Sequence, residues 1–456
     1  MFRETSNTLN ITKLLILFSF IVCWLSVSTS FKDLLIFSEL NSLNFKKLIN
    51  FLRHILVYIC FFFLVLILFI FKKKIEYKKY IIFYFIIGYF VSQIYGLFFT
   101  SNSLENFSFI VSAITIILTV ILIDSFFSKD EKKYFLIISF IILNIVFFLT
   151  FLPLFIKYLN GGSIYGGFLT SEAFLDKTSP RSSGLARMAL IILIFIEFFE
   201  NNYFKKHSKK MFIFKITFLT FIFLFQSRTM IFLTILVYSI IYVNQNKLTF
   251  KNCSKFISLF ILIPLILFLS LSTFNSYRFS KKAHIKSNSN EEISYVEHLD
   301  SYVEHLNSDK LRILRIMSEG DVSSGRFDDW SKILKKISGK NVIYGFGAQG
   351  DRYLINQSAS NGLIYAYSSS GLIGVTFLII FLIMVSFKII KIFLYYFRNN
   401  LNQVLFCLIS VSLSLRAILE TSYAVFSIDL IVFILALSFI FDNNIKIKDI
   451  IIKYSK

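Results

Sequence analysis

Residues 323–374 read SSGRFDDWSKILKKISGKNVIYGFGAQGDRYLINQSASNGLIYAYSSSGLIG. This is the one long polar segment that leads directly into a hydrophobic helix-length run. Nearly all other charged residues sit in short connections between apolar stretches of about 17 to 25 residues. Runs of that length cross a membrane as helices, whereas the strands of a barrel would alternate over about ten residues. The expected fold is an all-α polytopic membrane protein: about twelve transmembrane helices with a large extracytoplasmic loop containing short amphipathic helices.

Composition agrees. Of 456 residues, 56% are hydrophobic and 16% charged, and the mean hydropathy of +0.70 excludes a soluble globular domain. The net charge of +21 does not point to nucleic acid, because the lysines cluster between apolar spans, where they set topology and meet anionic lipid. Cys23, Cys60 and Cys407 lie in apolar runs and Cys253 in a basic connection, so neither a disulfide framework nor a cysteine zinc site is indicated. Arg3 and Lys13 precede LLILFSFIVCWLSV at 14–27, read as a first transmembrane helix rather than a signal peptide because many spans follow.

The spans fall at 12–30, 52–71, 80–99, 107–127, 134–156, 185–200, 211–226, 229–244, 255–274, 368–390, 402–421 and 424–441. KKKIEYKK at 72–79 carries five lysines and is cytoplasmic by the positive-inside rule. Counting from it puts SKDEKK at 128–133, NNYFKKHSKK at 201–210, NQNKLTFKNCSK at 244–255, FRNN at 397–400 and both termini inside. SNSLEN at 101–106, without a basic residue, falls outside. The chain then divides into N-terminal helices (1–156), a first extracytoplasmic loop (157–184), central helices (185–274), a large extracytoplasmic loop (275–367), and C-terminal helices with a cytoplasmic tail (368–456).

The first outer loop is rich in glycine and serine and suits a mobile, ligand-facing segment. In the second, SYVEHLD at 294–300 is followed directly by SYVEHLN at 301–307, a tandem heptad with Val296, Leu299, Val303 and Leu306 on one face. Glu297, His298, Glu304 and His305 recur because the repeat does, which favours a solvated helix face over a metal site. Further on, Phe327, Trp330, Ile333, Leu334 and Ile337 form a helical apolar stripe that Gly339 closes. Asp328 and Asp329 fall in its first turn, where the helix dipole favours acids. A helix lying on the outer membrane surface, with Arg326 near the head groups, fits this pattern.

Gly345, Gly347 and Gly350 spell G-x-G-x-x-G, but no strand precedes them and no βαβ unit surrounds them, so a dinucleotide site is excluded and a glycine turn expected. No cofactor motif and no metal-ligand cluster stands out. Arginines near the outer face carry more: Arg181, Arg187, Arg228, Arg326 and Arg416. A guanidinium fork matches phosphate bidentately and keeps its charge at any physiological pH. Each of them could equally anchor to lipid phosphate. Arg181 and Arg187 flank Gly184 at the start of a span. Arg416 and Glu420 lie four apart in an apolar run, with Asp429 in the next; they are read equally as a functional group or as a self-neutralising i, i+4 pair.

In order and placement, the SRT turn at 227–229, Gly325-Arg326 separated by three residues from Trp330, GFG at 345–347, and Ser360-Asn361 separated by nine residues from Gly371-Leu372-Ile373-Gly374 resemble the O-antigen polymerase and ligase superfamily of bacterial membrane glycosyltransferases. The resemblance covers about 160–430. The ligase branch carries a histidine where this chain has Ser360. A serine hydroxyl cannot act as a base near neutrality as an imidazole does, so the polymerase branch is the closer likeness.

That resemblance implies transfer of a growing glycan from undecaprenyl diphosphate to a sugar hydroxyl of the next lipid-linked repeat unit. The setting it implies is the outer face of the bacterial inner membrane, in O-antigen or capsule-type polysaccharide biosynthesis. Arg181 and Arg326, with Asp328 and Asp329, are the implied catalytic residues. Arg187, Arg228, Arg416, Asn361 and Gly184 are implied to bind diphosphate or glycan. Asp351 and Glu172 remain further candidates for the base. The implied partners are the undecaprenyl-diphosphate-linked oligosaccharide and membrane lipids, with a chain-length regulator and a flippase beside them; no cofactor and no nucleic acid are implied. A ligase acting on a lipid A-core acceptor is the alternative within the family. A lipid-linked oligosaccharide flippase is the alternative from another class, although no repeat relates the two halves of the chain.

Overall fold

A computed structural model of the chain describes residues 6–28, 43–72, 75–99, 103–159, 182–203, 209–225, 227–246, 254, 256–271, 273 and 326–442. The heptad repeat, Cys253, Glu172 and Arg181 lie outside these. The structure is 87% helical, and no strand occurs among the described residues. A helix satisfies every backbone polar group within itself, and apolar runs of this length in lipid have few other solutions.

The helices are α1 (Ser6–Ser28), α2 (Leu43–Ile70), α3 (Ile81–Ser92), α4 (Ser103–Phe126), α5 (Lys129–Leu159), α6 (Ser182–Tyr203), α7 (Lys209–Leu224), α8 (Arg228–Gln245) and α9 (Phe260–Leu271). After the large connection come α10 (Arg326–Lys336), α11 (Asn341–Tyr344), α12 (Gly350–Ile355), α13 (Gly362–Tyr396), α14 (Leu401–Arg416) and α15 (Ile428–Phe441). Among the described residues, 7 helical stretches are long and apolar enough to cross a membrane: Leu9–Val27, Leu52–Ile70, Ile81–Phe98, Asn106–Phe126, Lys129–Ile156, Arg228–Gln245 and Gly362–Tyr396. Met211–Leu224, Phe260–Leu271, Leu401–Arg416 and Ile428–Phe441 are shorter apolar helices. The protein is a helical membrane protein.

The chain forms two compact units, and the division falls within α5 and again within α10. In the first unit (1–30, 41–142 and 328–456), α4 and α15 are almost wholly buried. α13 packs along α3, and α2 lies against both α1 and α4. Along α13, Leu372, Ile379, Ile383, Phe387 and Ile390 are exposed at helical spacing, the stripe expected to face lipid. With acyl chains as apolar as leucine, close packing rather than water exclusion holds such helices together.

In the second unit (31–40 and 143–327), phenylalanines make the contact between the later half of α5 and α7. Phe147 meets Phe218 at 5.2 Å and Phe151 meets Phe221 at 4.4 Å between ring centroids. α6 joins α7 through Lys215, whose ammonium lies 2.6 Å from Glu197 and also pairs with Glu200. All three side chains are nearly buried, so each relies on the others for neutralisation.

Candidate functional site

Residues 328–374 of the polar segment belong to the first unit. Asp328 and Asp329 occupy the first turn of α10, and Lys335 and Lys336 the last, as the helix dipole favours. Ile333 and Ile337 are buried and Trp330 is half-buried, while Phe327 and Leu334 are exposed, so the apolar stripe is divided between protein and surroundings. The Trp330 indole N–H donates to the Ala359 carbonyl at 2.6 Å, and the Lys336 ammonium to the Leu354 carbonyl at 2.7 Å. α10 is thereby fastened to the chain that follows it.

α10 ends at Lys336, three residues before the expected closing residue Gly339, which sits in the following turn in the left-handed region, at φ 60°. The glycines that follow make a tight crossing rather than a loose turn. The backbone N–H of Phe346 donates to the Ser368 carbonyl and that of Gly347 to the Ser369 carbonyl, each at 2.8 Å. These acceptors lie just before a break in α13 at Gly371, where φ is 60° and ψ −159°. A Cβ at Gly371 would run into the backbone of Ile343, and one at Gly96 into the backbone of Gly347. Three stretches of main chain therefore cross where only hydrogen fits. Tyr95 and Tyr344 flank the crossing with ring centroids 4.2 Å apart.

α13 begins at Gly362, six residues before the expected span, because Asn361 caps it. The Asn361 Oδ1 accepts from the backbone N–H of Leu363 at 2.9 Å and of Ile364 at 3.0 Å, and its Nδ2 donates to the Ile418 carbonyl at 2.8 Å. The Gly362 N–H donates to the Ala417 carbonyl at 2.7 Å. Both polar atoms of the Asn361 side chain are thus engaged in architecture. Ser360, ahead of it, is half-buried at φ 48°.

Arg416 is 5% exposed and Asp429 fully buried, and they form an ion pair. The Ser422 hydroxyl donates to the same carboxylate at 2.9 Å. α14 ends at Arg416, so Glu420 lies beyond its last turn. This corrects the expectation of an i, i+4 pair within one helix. The expected base candidate Asp351 is buried, and its carboxylate accepts from the backbone N–H of Arg352 and of Ala359, each at 2.8 Å. Burial pushes its carboxyl above the ordinary range, while the two amides draw it back. Asp328 is exposed and Asp329 half-buried, leaving room for either to meet a hydroxyl proton.

Arg187, Arg228, Gly184 and Arg326 belong to the second unit, and Asp328, Asp329, Asn361 and Arg416 to the first. Arg228 is exposed at the first position of α8, whose N-cap Ser227 makes no side-chain cap bond. Arg187 is half-buried in α6, beyond Gly184, around which a Cβ would find open space. Arg326, at the start of α10, is half-buried.

At the opposite end of α3 lies a group that sequence reasoning passed over, since its lysines read as topology markers. Asp124 and Asp442 alternate with Lys79 and Lys132. Lys79 lies 2.6 Å and Lys132 2.7 Å from Asp442, and both also pair with Asp124. The Tyr80 hydroxyl donates to Asp124 at 2.7 Å. Burial works against ionisation of Asp442, but Lys132 and Lys79 outweigh it and hold the carboxyl below its usual range. The separations in sequence, 310 and 363 residues, also hid this square.

Compared with protein-family models, with curated proteins and with solved structures, the chain has no match in any of the three.

Proposed function

We propose that the protein is a polysaccharide polymerase of the inner membrane, a glycosyltransferase using a polyprenyl-diphosphate-linked donor. In this reading the seven long apolar helices, the four shorter ones and α6 together make twelve crossings. Both termini are cytoplasmic, and α10 to α12 lie on the extracytoplasmic side. One observation carries the reading: the polar segment 326–374 is a built structure, fixed at the end of an apolar bundle by hydrogen bonds of its main chain and of the Trp330 and Asn361 side chains. Such a platform suits a substrate whose tail is in the membrane and whose reacting sugars are in water.

The reaction is displacement at the donor's anomeric carbon. The acceptor hydroxyl oxygen bonds to that carbon, the bond from carbon to diphosphate oxygen breaks, and the hydroxyl proton passes to a base. Arg181, Arg187, Arg228 and Arg326 are proposed to stabilise the departing diphosphate, because fixed cations act on the charge that develops there. Asp328 and Asp329 are the accessible carboxylates for the proton. The spacing of Asn361, Gly371 and Gly374 also suits a ligase, but Ser360 offers no imidazole.

Deletion of the gene tests the reading. A polymerase deletion leaves single repeat units on the cell-surface acceptor. Lipid-linked polymer accumulating on the outer face would mean a ligase, and repeat units trapped inside would mean a flippase; either would overturn the proposal.

A further inference from the structure

The short helix α12 presents a surface with no part in the scheme above. Its inner side is fully committed. Asp351 binds the Ala359 amide, Leu354 is buried with its carbonyl taken by Lys336, and the Gln349 N–H donates to the Tyr365 hydroxyl at 3.1 Å. Arg352 and Tyr353 on its outer side, and Asn356 and Gln357 just past its end, are all exposed. Tyr353 is 53% exposed, yet its ring is not loose. It lies against buried Phe346 with centroids 5.6 Å apart and planes at 31°, so the ring is supported on one side while about half of the residue stays exposed. Beside it, the Arg352 guanidinium donates to the Gln349 side-chain carbonyl at 3.3 Å.

A rigid aromatic face flanked by a guanidinium and by carboxamides fits one chemistry closely. A pyranose ring has a face of C–H groups, which packs on an aromatic ring, and an edge of hydroxyls, which needs donors and acceptors together. An aromatic anchor to lipid would have apolar neighbours, but α12 directs its leucine inward. A site for a bare anion would have no use for the ring.

We propose that Tyr353, with Arg352, Gln349, Asn356 and Gln357, is a subsite for a sugar ring of the glycan chain. This rests on the polymerase reading for the identity of the glycan. The subsite retains the chain between additions, so it governs length rather than the bond-forming step.

The test uses full-length protein in detergent and, as probe, the soluble oligosaccharide released by mild acid from the producing cells' own lipid-linked repeat units. Binding is measured by calorimetry, and elongation of the intact lipid-linked repeat unit and thermal stability are followed in parallel. Tyr353→Ala is expected to weaken binding about tenfold and to shorten the products, with an unchanged melting temperature. Tyr353→Phe keeps the ring and is expected to bind like wild type. Wild-type binding in Tyr353→Ala, no binding by the wild type, or a fall in melting temperature that accounts for the loss would each overturn the subsite. Wild-type protein that binds the oligosaccharide but never elongates the lipid-linked repeat unit would overturn the polymerase reading and leave the subsite standing.

Discussion

The side-chain amide of Asn361 donates to the carbonyl of Ile418 at 2.8 Å, while its oxygen caps α13. One residue thus starts a membrane helix and ties it to the turn after α14. Asn361→Asp keeps the cap and loses the tether; Asn361→Ala loses both. The alanine variant is expected to be less stable by about 1 to 2 kcal/mol, and the aspartate variant to fall between it and wild type. Thermal unfolding in detergent reads this order, and equal melting temperatures in all three would refute the double role.

Gly371 and Gly339 share a φ of 60° but not their surroundings. Alanine at Gly339 meets open space and should cost about 1 to 2 kcal/mol, the penalty of the left-handed region alone. At Gly371 it would collide with the Ile343 backbone, so little folded protein is expected. Size-exclusion profiles of tagged variants in detergent separate the two. Matching profiles would mean that the main-chain crossing is looser than described.

Arg416 and Asp429 neutralise each other in a buried site. Removing one partner strands the other charge, so Asp429→Asn should cost about 3 to 5 kcal/mol. Replacing both by leucine removes the stranded charge, and that double variant should be more stable than either single one. Additive losses in a double-mutant cycle would contradict the pairing.

The square of Asp124, Asp442, Lys79 and Lys132 makes stability depend on pH. Asp442 is depressed below the ordinary aspartate value of about 3.9. The stability it contributes is therefore fully present above that value and is lost as pH falls through its own lower pKa. Asp351 acts in the opposite sense. Its raised pKa gives stability that is present below about 3.9 and lost as pH rises through the folded value. Comparing wild type with Asp442→Asn isolates the first effect, and the difference in melting temperature should be steady at neutral pH and shrink in acid. A difference that grew in acid would have the wrong sign.

What could be read from the sequence follows its periodicities. Apolar runs located the helices, and the stripe from Phe327 to Ile337 located α10, although the helix ends at Lys336 and not at Gly339. The spacing of Asn361, Gly371 and Gly374 marked something that needs two glycines, but not what it was. Gly371 lies in a run that looks helical throughout, and the break appears only once the backbone of Ile343 crosses it. Arg-Ala-Ile-Leu-Glu reads as uninterrupted helix, which puts Glu420 one turn from Arg416, whereas α14 ends at Arg416 and the ion pair with Asp429 forms across a turn. Tyr353 left no signal, since an exposed tyrosine in a polar segment looks the same whether or not a buried ring supports it.

The most direct test of the central claim is elongation by purified protein in nanodiscs, given a synthetic undecaprenyl-diphosphate-linked repeat unit and no other acceptor. The polymerase reading predicts a ladder of lipid-linked products that grow by one repeat unit at a time. It also predicts no ladder from Arg326→Ala or Arg181→Ala, although both variants still insert in the membrane. A repeat unit left unextended by well-folded wild-type protein would contradict the claim, as would full ladders from both arginine variants.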